Sequence, residues 1–114
     1  MKFSQRDVDG AVAIDISGKL TGGPEAEAFR DMFRGLVEEG KKNVILNLSG
    51  VDWIASTGIG IMIRGYKTIC EAGGRFILVN VGERTHQIFN VMRLYDIFEI
   101  LDTEEEAIKK IAAS

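Results

Sequence analysis

Two adjacent hydroxyls, Ser56 and Thr57, stand between Val51-Asp52-Trp53-Ile54-Ala55 and Gly58-Ile59-Gly60, where one hydrophobic pattern gives way to another. Upstream, Val44 to Leu48 is a short apolar run that reads as a buried strand. Downstream, Ile59, Met62, Ile63, Tyr66, Ile69 and Cys70 recur at helical spacing. The hydroxyls therefore fall where a helix begins. The first N–H groups of a helix lack intrahelical partners, and the aligned peptide dipoles leave partial positive charge there. Two chemistries suit that place: Ser56 or Thr57 as a plain N-cap, or as the acceptor of a phosphate that the free N–H groups stabilise. A third, nucleophilic catalysis by Ser56, needs a base within reach and donors for an oxyanion. His86 is the only imidazole, and Ile54 stands where the Gly-x-Ser-x-Gly elbow requires glycine, so the sequence argues against an enzyme.

The elements that must position this corner fit one domain, 1–114, of ordinary composition, with 46% hydrophobic and 27% charged residues. No apolar stretch reaches the ~18 residues of a membrane helix and no signal peptide opens the chain, so a cytoplasmic protein without membrane insertion is expected. The net charge of −3 and the absence of any basic run longer than two residues argue against nucleic-acid binding. One histidine and one cysteine are too few for a His/Cys metal site, and no cofactor is implied. Cys70, on the apolar helical stripe, is expected to be a core thiol.

Taken in order, Phe3 to Asp7 and Ala11 to Ser17 read as a hairpin closed by Asp9-Gly10, and strands of this kind suit a sheet edge. Ser17-Gly18-Lys19-Leu20-Thr21-Gly22-Gly23-Pro24 reads as a loop. Its glycines lack the Gly-Lys-Ser/Thr ending of a phosphate-binding loop. A helix from Pro24 to Glu39 presents Phe29, Met32, Phe33, Leu36 and Val37, and Gly40 ends it. Asn43 to Leu48 is apolar enough to be a central strand buried on both faces, which implies a crossover and parallel pairing. After the corner, a helix runs to about Ala72 and stops at Gly73-Gly74, and Arg75 to Asn80 is the next buried strand. Glu83 to about Arg93 forms a helix whose apolar members are Ile88, Phe89, Val91 and Met92. Leu94 to Ile100 is a turn and a short strand. Thr103 then opens a last helix as a capping box with Glu106, and its apolar side is Ala107, Ile108, Ile111 and Ala112.

The first turns of the corner helix, Gly58-Ile59-Gly60-Ile61-Met62-Ile63, are apolar nearly all round. A helix on a sheet needs only one apolar stripe, so Ile61 with Met62 or Ile63 is either a protein-binding patch or covered by another element, such as the helix from Glu83. A phosphate on Ser56 beside such a patch adds roughly −1.5 to −2 charge, which is costly to bury against a partner.

These residues together resemble the STAS domain family, and within it the bacterial anti-sigma factor antagonists. The resemblance runs through Ser17-Gly18-Lys19-Leu20, Val44 to Ser49, Ala55-Ser56-Thr57-Gly58-Ile59-Gly60, Arg64-Gly65-Tyr66-Lys67, Gly73-Gly74 and Leu94 to Ile100. It implies an α/β fold in which a small, mixed, mostly parallel sheet is backed by helices. It also implies a partner, an anti-sigma factor with serine kinase activity, which binds the unphosphorylated domain and is lost when Ser56 is phosphorylated. A separate phosphatase resets the switch. On that resemblance Ser56 is the phosphoacceptor, Thr57 its possible substitute, and Thr21, Gly58, Ile59, Ile61, Met62 and Ile63 are partner-binding. Ala55 and Thr21 depart from the family pattern, which usually has Asp at both places. Those losses favour an alternative, a STAS subunit docking on a transporter or sensory complex without phosphorylation.

Overall fold

Asp9-Gly10 turns the chain because Gly10 adopts a φ of 73°, and the two strands it joins pair antiparallel. In a computed structural model, which describes residues 1–113, these are β1 (Lys2–Val8) and β2 (Ala11–Leu20). The elements that follow are α1 (Glu25–Glu38), β3 (Asn43–Ile54), α2 (Ser56–Glu71), β4 (Arg75–Val79), α3 (Glu83–Val91), a 3-10 turn at Leu94–Asp96, β5 (Glu99–Leu101) and α4 (Glu104–Ala112). The sheet order is β1-β2-β3-β4-β5, and every pair after the hairpin is parallel. The expected mixed, mostly parallel sheet backed by helices is what forms.

Burial follows from the two-residue period of the strands. Val12, Ile14, Ile16, Val44, Leu46, Leu48, Phe76 and Leu78 face Phe29 and Phe33 of α1, Ile59, Met62 and Ile69 of α2, and Phe89 of α3. The intervening Ile45, Ile77 and Val79 face Ala107 and Ile111 of α4 on the other side. The central β3 is thus covered on both faces, as its unbroken apolar run predicts. Edge-to-face contacts run through the larger core, with Phe29 and Phe33 at 4.9 Å and Tyr66 and Phe76 at 5.8 Å.

Several expectations are corrected. Ser17 to Leu20 is strand, because β2 stays paired with β3 as far as Leu20 opposite Ile54. Irregularities in register at Asp15/Ser17 and Gly18/Lys19 disguise this in the sequence. β2 is interior rather than an edge, with β1 outside it. Cys70 is exposed, because Ile69 takes the inward position in the last turn of α2. Val91 and Met92 are also exposed, because α3 ends at Val91 and a left-handed Arg93, with φ 56°, turns the chain away from the core. Ala112 is exposed at the last turn of α4. At its start the Glu106 N–H donates to Thr103 Oγ1 at 3.2 Å, and the Thr103 hydroxyl donates to the Glu106 carboxylate at 3.3 Å.

Two ionic groups fasten α4 to the sheet. Arg6 of β1 donates to Asp15 of β2 at 2.6 and 2.9 Å and to Glu104 at 2.6 Å. Glu99 of β5 takes Arg75 at 2.9 Å and Lys110 at 2.6 Å. The Arg6 guanidinium, with help from Asn47, holds the Asp15 carboxyl below the usual range. Burial pushes Glu99 up, but Lys110 and Arg75 outweigh it and hold it below its usual range. Both folded-state values lie below the unfolded ones of about 4, so this stability is present above pH ~4 and is lost as pH falls through the folded values. Discounted for solvent screening, the loss is about 1 kcal/mol, or about 5 °C in melting temperature. Thermal melts from pH 6 to pH 3 should show a fall that is shallower in Asp15→Asn. An unchanged slope in that variant would refute the assignment.

Candidate functional site

The corner is built by the ends of two paired strands. Ile54, the last residue of β3, is buried opposite Leu20, and the N–H of Ala55 donates to the Leu20 carbonyl at 3.1 Å. This bond sets Ala55 in extended conformation, with φ −105° and ψ 165°, and makes Ala55 the N-cap of α2, with its carbonyl accepting from Ile59 N–H at 3.0 Å. The expectation that Ser56 or Thr57 caps the helix is therefore corrected, since both lie inside its first turn. An alanine side chain has no acceptor, so no side chain caps these N–H groups.

The two hydroxyls differ in their surroundings. Thr57 Oγ1 accepts the N–H of Gly22 at 3.0 Å, and a Cβ at Gly22 would lie 2.8 Å from the Thr57 Cβ. Thr57 thus holds the loop after β2 against the start of α2. Ser56 is exposed, and its hydroxyl has no hydrogen-bond partner among the described residues. Thr57→Val is expected to leave the Gly22 amide unpaired, with a stability cost of about 1 kcal/mol and faster hydrogen exchange at Gly22. Unchanged protection at that amide would count against the latch.

Glycine at position 58 is required by close approach. A Cβ there would sit 2.1 Å from the Leu20 carbonyl oxygen, so α2 crosses the end of β2 at backbone contact. Gly58, Ile59, Ile61 and Met62 are buried. The expectation that Gly58, Ile59 and Met62 form partner-binding surface is corrected: they hold the corner to the sheet and to α1. Ile61, read as surplus to the core, is covered by α1 and lies with Phe33 at the base of the groove between α1 and α2. Ile63, two turns further along α2, and Thr21, in the loop after β2, are half-buried and retain accessible surface.

Beside the corner lies an open cleft of about 340 Å³ lined by Lys19, Thr21, Asp52, Trp53 and Arg84, with Trp53 49% exposed. It brings the Asp52 carboxylate to the loop position Thr21. Sequence reasoning missed Trp53: β3 carries an extra residue between Val51, opposite Gly18, and Trp53, opposite Lys19, and this irregularity, which no two-residue period reveals, accompanies the exposed ring at the strand end. Arg84 comes from α3, and no local pattern links it to this place. His86 reaches the Tyr95 hydroxyl at 3.2 Å. Among the described residues no group of three or more His, Cys, Asp or Glu is placed to hold a metal, and no helix is long and apolar enough to cross a membrane.

Comparison with known proteins places this geometry. The STAS domain family matches residues 3–107. An anti-sigma-B factor antagonist of Bacillus subtilis is 26% identical over 98 residues, which are 86% of this chain and 88% of that protein. The crystal structure of protein TM1081 of Thermotoga maritima, 28% identical, superposes with a TM-score of 0.87 over 96% of this chain and 94% of its own. The phosphorylated form of the Bacillus cell-fate determinant SpoIIAA shares the fold at 23% identity, with a TM-score of 0.73 over 96% and 99% of the two chains. A strand-to-helix corner at Ser56, on a five-stranded sheet with one antiparallel hairpin, agrees with these matches: the chain belongs to the STAS domain family, and its relatives there include anti-sigma factor antagonists.

Proposed function

We propose that this chain is an anti-sigma factor antagonist that works by partner switching. Unphosphorylated, it binds an anti-sigma factor that is also a serine kinase. Phosphorylation of Ser56 releases that partner, and a phosphatase restores binding. The observation that carries this reading is the contrast at the corner: Ser56 is exposed with a free hydroxyl, on a first turn with no side-chain cap, while the oxygen of its neighbour Thr57 is engaged by Gly22. A phosphate on Ser56 would meet the positive end of α2 within its own chain, so the folded domain tolerates it. The cost falls on a partner that must bury the new charge.

The alternative, constitutive docking without phosphorylation, draws on Ala55 and Thr21, which supply no carboxylate at the two positions where the family pattern this chain resembles usually has one. Asp52 lines the same cleft as Thr21 and puts one carboxylate on that side of the corner, which favours the switching reading. Intact and peptide masses of the protein purified from its host across growth and stress conditions separate the two. Condition-dependent phosphate on Ser56 is expected. Its absence in every condition, with the kinase expressed, would move the assignment to docking.

A further inference from the structure

Between α1 and α2, starting at Gly23-Pro24 directly after the loop that Thr57 holds, runs a groove of about 270 Å³. Phe33, Ile61 and Gly65 line it, and Arg30 and Arg64 stand over it from the two helices. Its volume lies below the ~300–1,000 Å³ of typical small-molecule sites, so it suits a side chain rather than a whole cofactor.

Arg30 and Arg64 bring two guanidiniums to one groove, and of the other arginines only Arg84, at the separate cleft beside Trp53, also forms no ion pair among the described residues. Arg6, Arg34, Arg75 and Arg93 each face a carboxylate of this protein. Arg30 and Arg64 form no ion pair among the described residues, although Glu27 also lines the groove one turn from Arg30. Two unpaired guanidiniums beside an apolar base, on a chain of net charge −3, form a local field opposite in sign to the whole. Arginine pairs with carboxylates in bidentate geometry while its stem packs on apolar surface. We infer that this groove is a contact surface for a protein partner, receiving an apolar side chain flanked by carboxylates. It extends the interaction surface beyond the phosphoacceptor corner. The inference rests on the reading of the chain as a binding module and is independent of modification at Ser56.

The test is a 15N–1H correlation titration of the whole chain with the peptide acetyl-Glu-Asp-Leu-Phe-Asp-Glu-amide, alongside the same peptide with lysine at each acidic position. Saturable shifts are expected at Ala26, Arg30, Ile61, Arg64 and Gly65 with the acidic peptide only. The double variant Arg30→Glu/Arg64→Glu should bind about tenfold or more weakly with its amide spectrum otherwise preserved. Ser56→Asp should bind as the parent does. No saturable shift below about 1 mM, equal binding of the lysine peptide, retained binding by the double variant, or loss of binding in Ser56→Asp would each overturn the inference. The fate of the switching reading is decided separately, by the phosphate measurement on Ser56.

Discussion

Gly58→Ala is expected to lower the unfolding free energy by about 3 kcal/mol or more. The added methyl would sit 2.1 Å from the carbonyl oxygen of Leu20, and the obstacle is backbone rather than the end of a flexible side chain. Relief requires the first turn of α2 to move away from β2. That same carbonyl accepts the Ala55 N–H, so the movement weakens the bond that sets the corner and loosens the buried Leu20 and Ile59. Overpacking of a tight site costs about 1–3 kcal/mol and a lost hydrogen bond about 1 kcal/mol more. Against a typical total of about 5–15 kcal/mol, this is a large fraction. Gly60→Ala is the control, since a Cβ there meets nothing within 4 Å. It should be neutral or stabilise by up to about 1 kcal/mol through helix propensity. Denaturant unfolding of both variants decides the matter, and equal stabilities would mean that α2 does not cross β2 at backbone contact.

Ser56→Asp is expected to separate binding from folding. A carboxylate in the first turn of α2 faces unpaired N–H groups and the positive end of the helix, so stability should hold or rise by about 0.3–1 kcal/mol. Binding to the anti-sigma factor kinase should fall about 100-fold or more, because an uncompensated charge buried at an interface costs about 3 kcal/mol or more. Ser56→Ala removes the acceptor without adding charge and should bind as the parent does. Titration calorimetry on the three proteins, with melting curves beside it, measures both quantities. Undiminished binding by a folded Ser56→Asp would exclude release by charge and leave the docking reading.

Much of this protein follows from local rules that the sequence carries openly. The spacing of Phe29, Phe33 and Leu36 determines the buried stripe of α1, and Gly40 and Gly73, at φ 77° and 83°, end two helices where their position predicts. The continuous run Val44-Ile45-Leu46 specifies a strand covered on both faces, and Thr103 with Glu106 starts α4. The strand-to-helix corner at Ser56 is legible for the same reason, since a change in hydrophobic period lies within a single stretch of chain.

What only the tertiary structure decided depends on pairings between distant segments. Whether Ser17 to Leu20 is loop or strand is settled by Gly50 to Ile54 lying alongside it, more than thirty residues later. Whether Ile61 is surface or core is settled by α1 lying over it. Cys70 and Ile69 are both apolar neighbours at the end of α2, and only the angle at which that helix meets the sheet turns one in and the other out. The difference between Ser56 and Thr57 is of the same kind. Their side chains are nearly equivalent in isolation, and it is the N–H of Gly22, brought over by the end of β2, that occupies one hydroxyl and leaves the other free. Local propensity is a property of neighbours in sequence, whereas burial and hydrogen-bond partners across a parallel sheet belong to segments that meet only once the chain has folded.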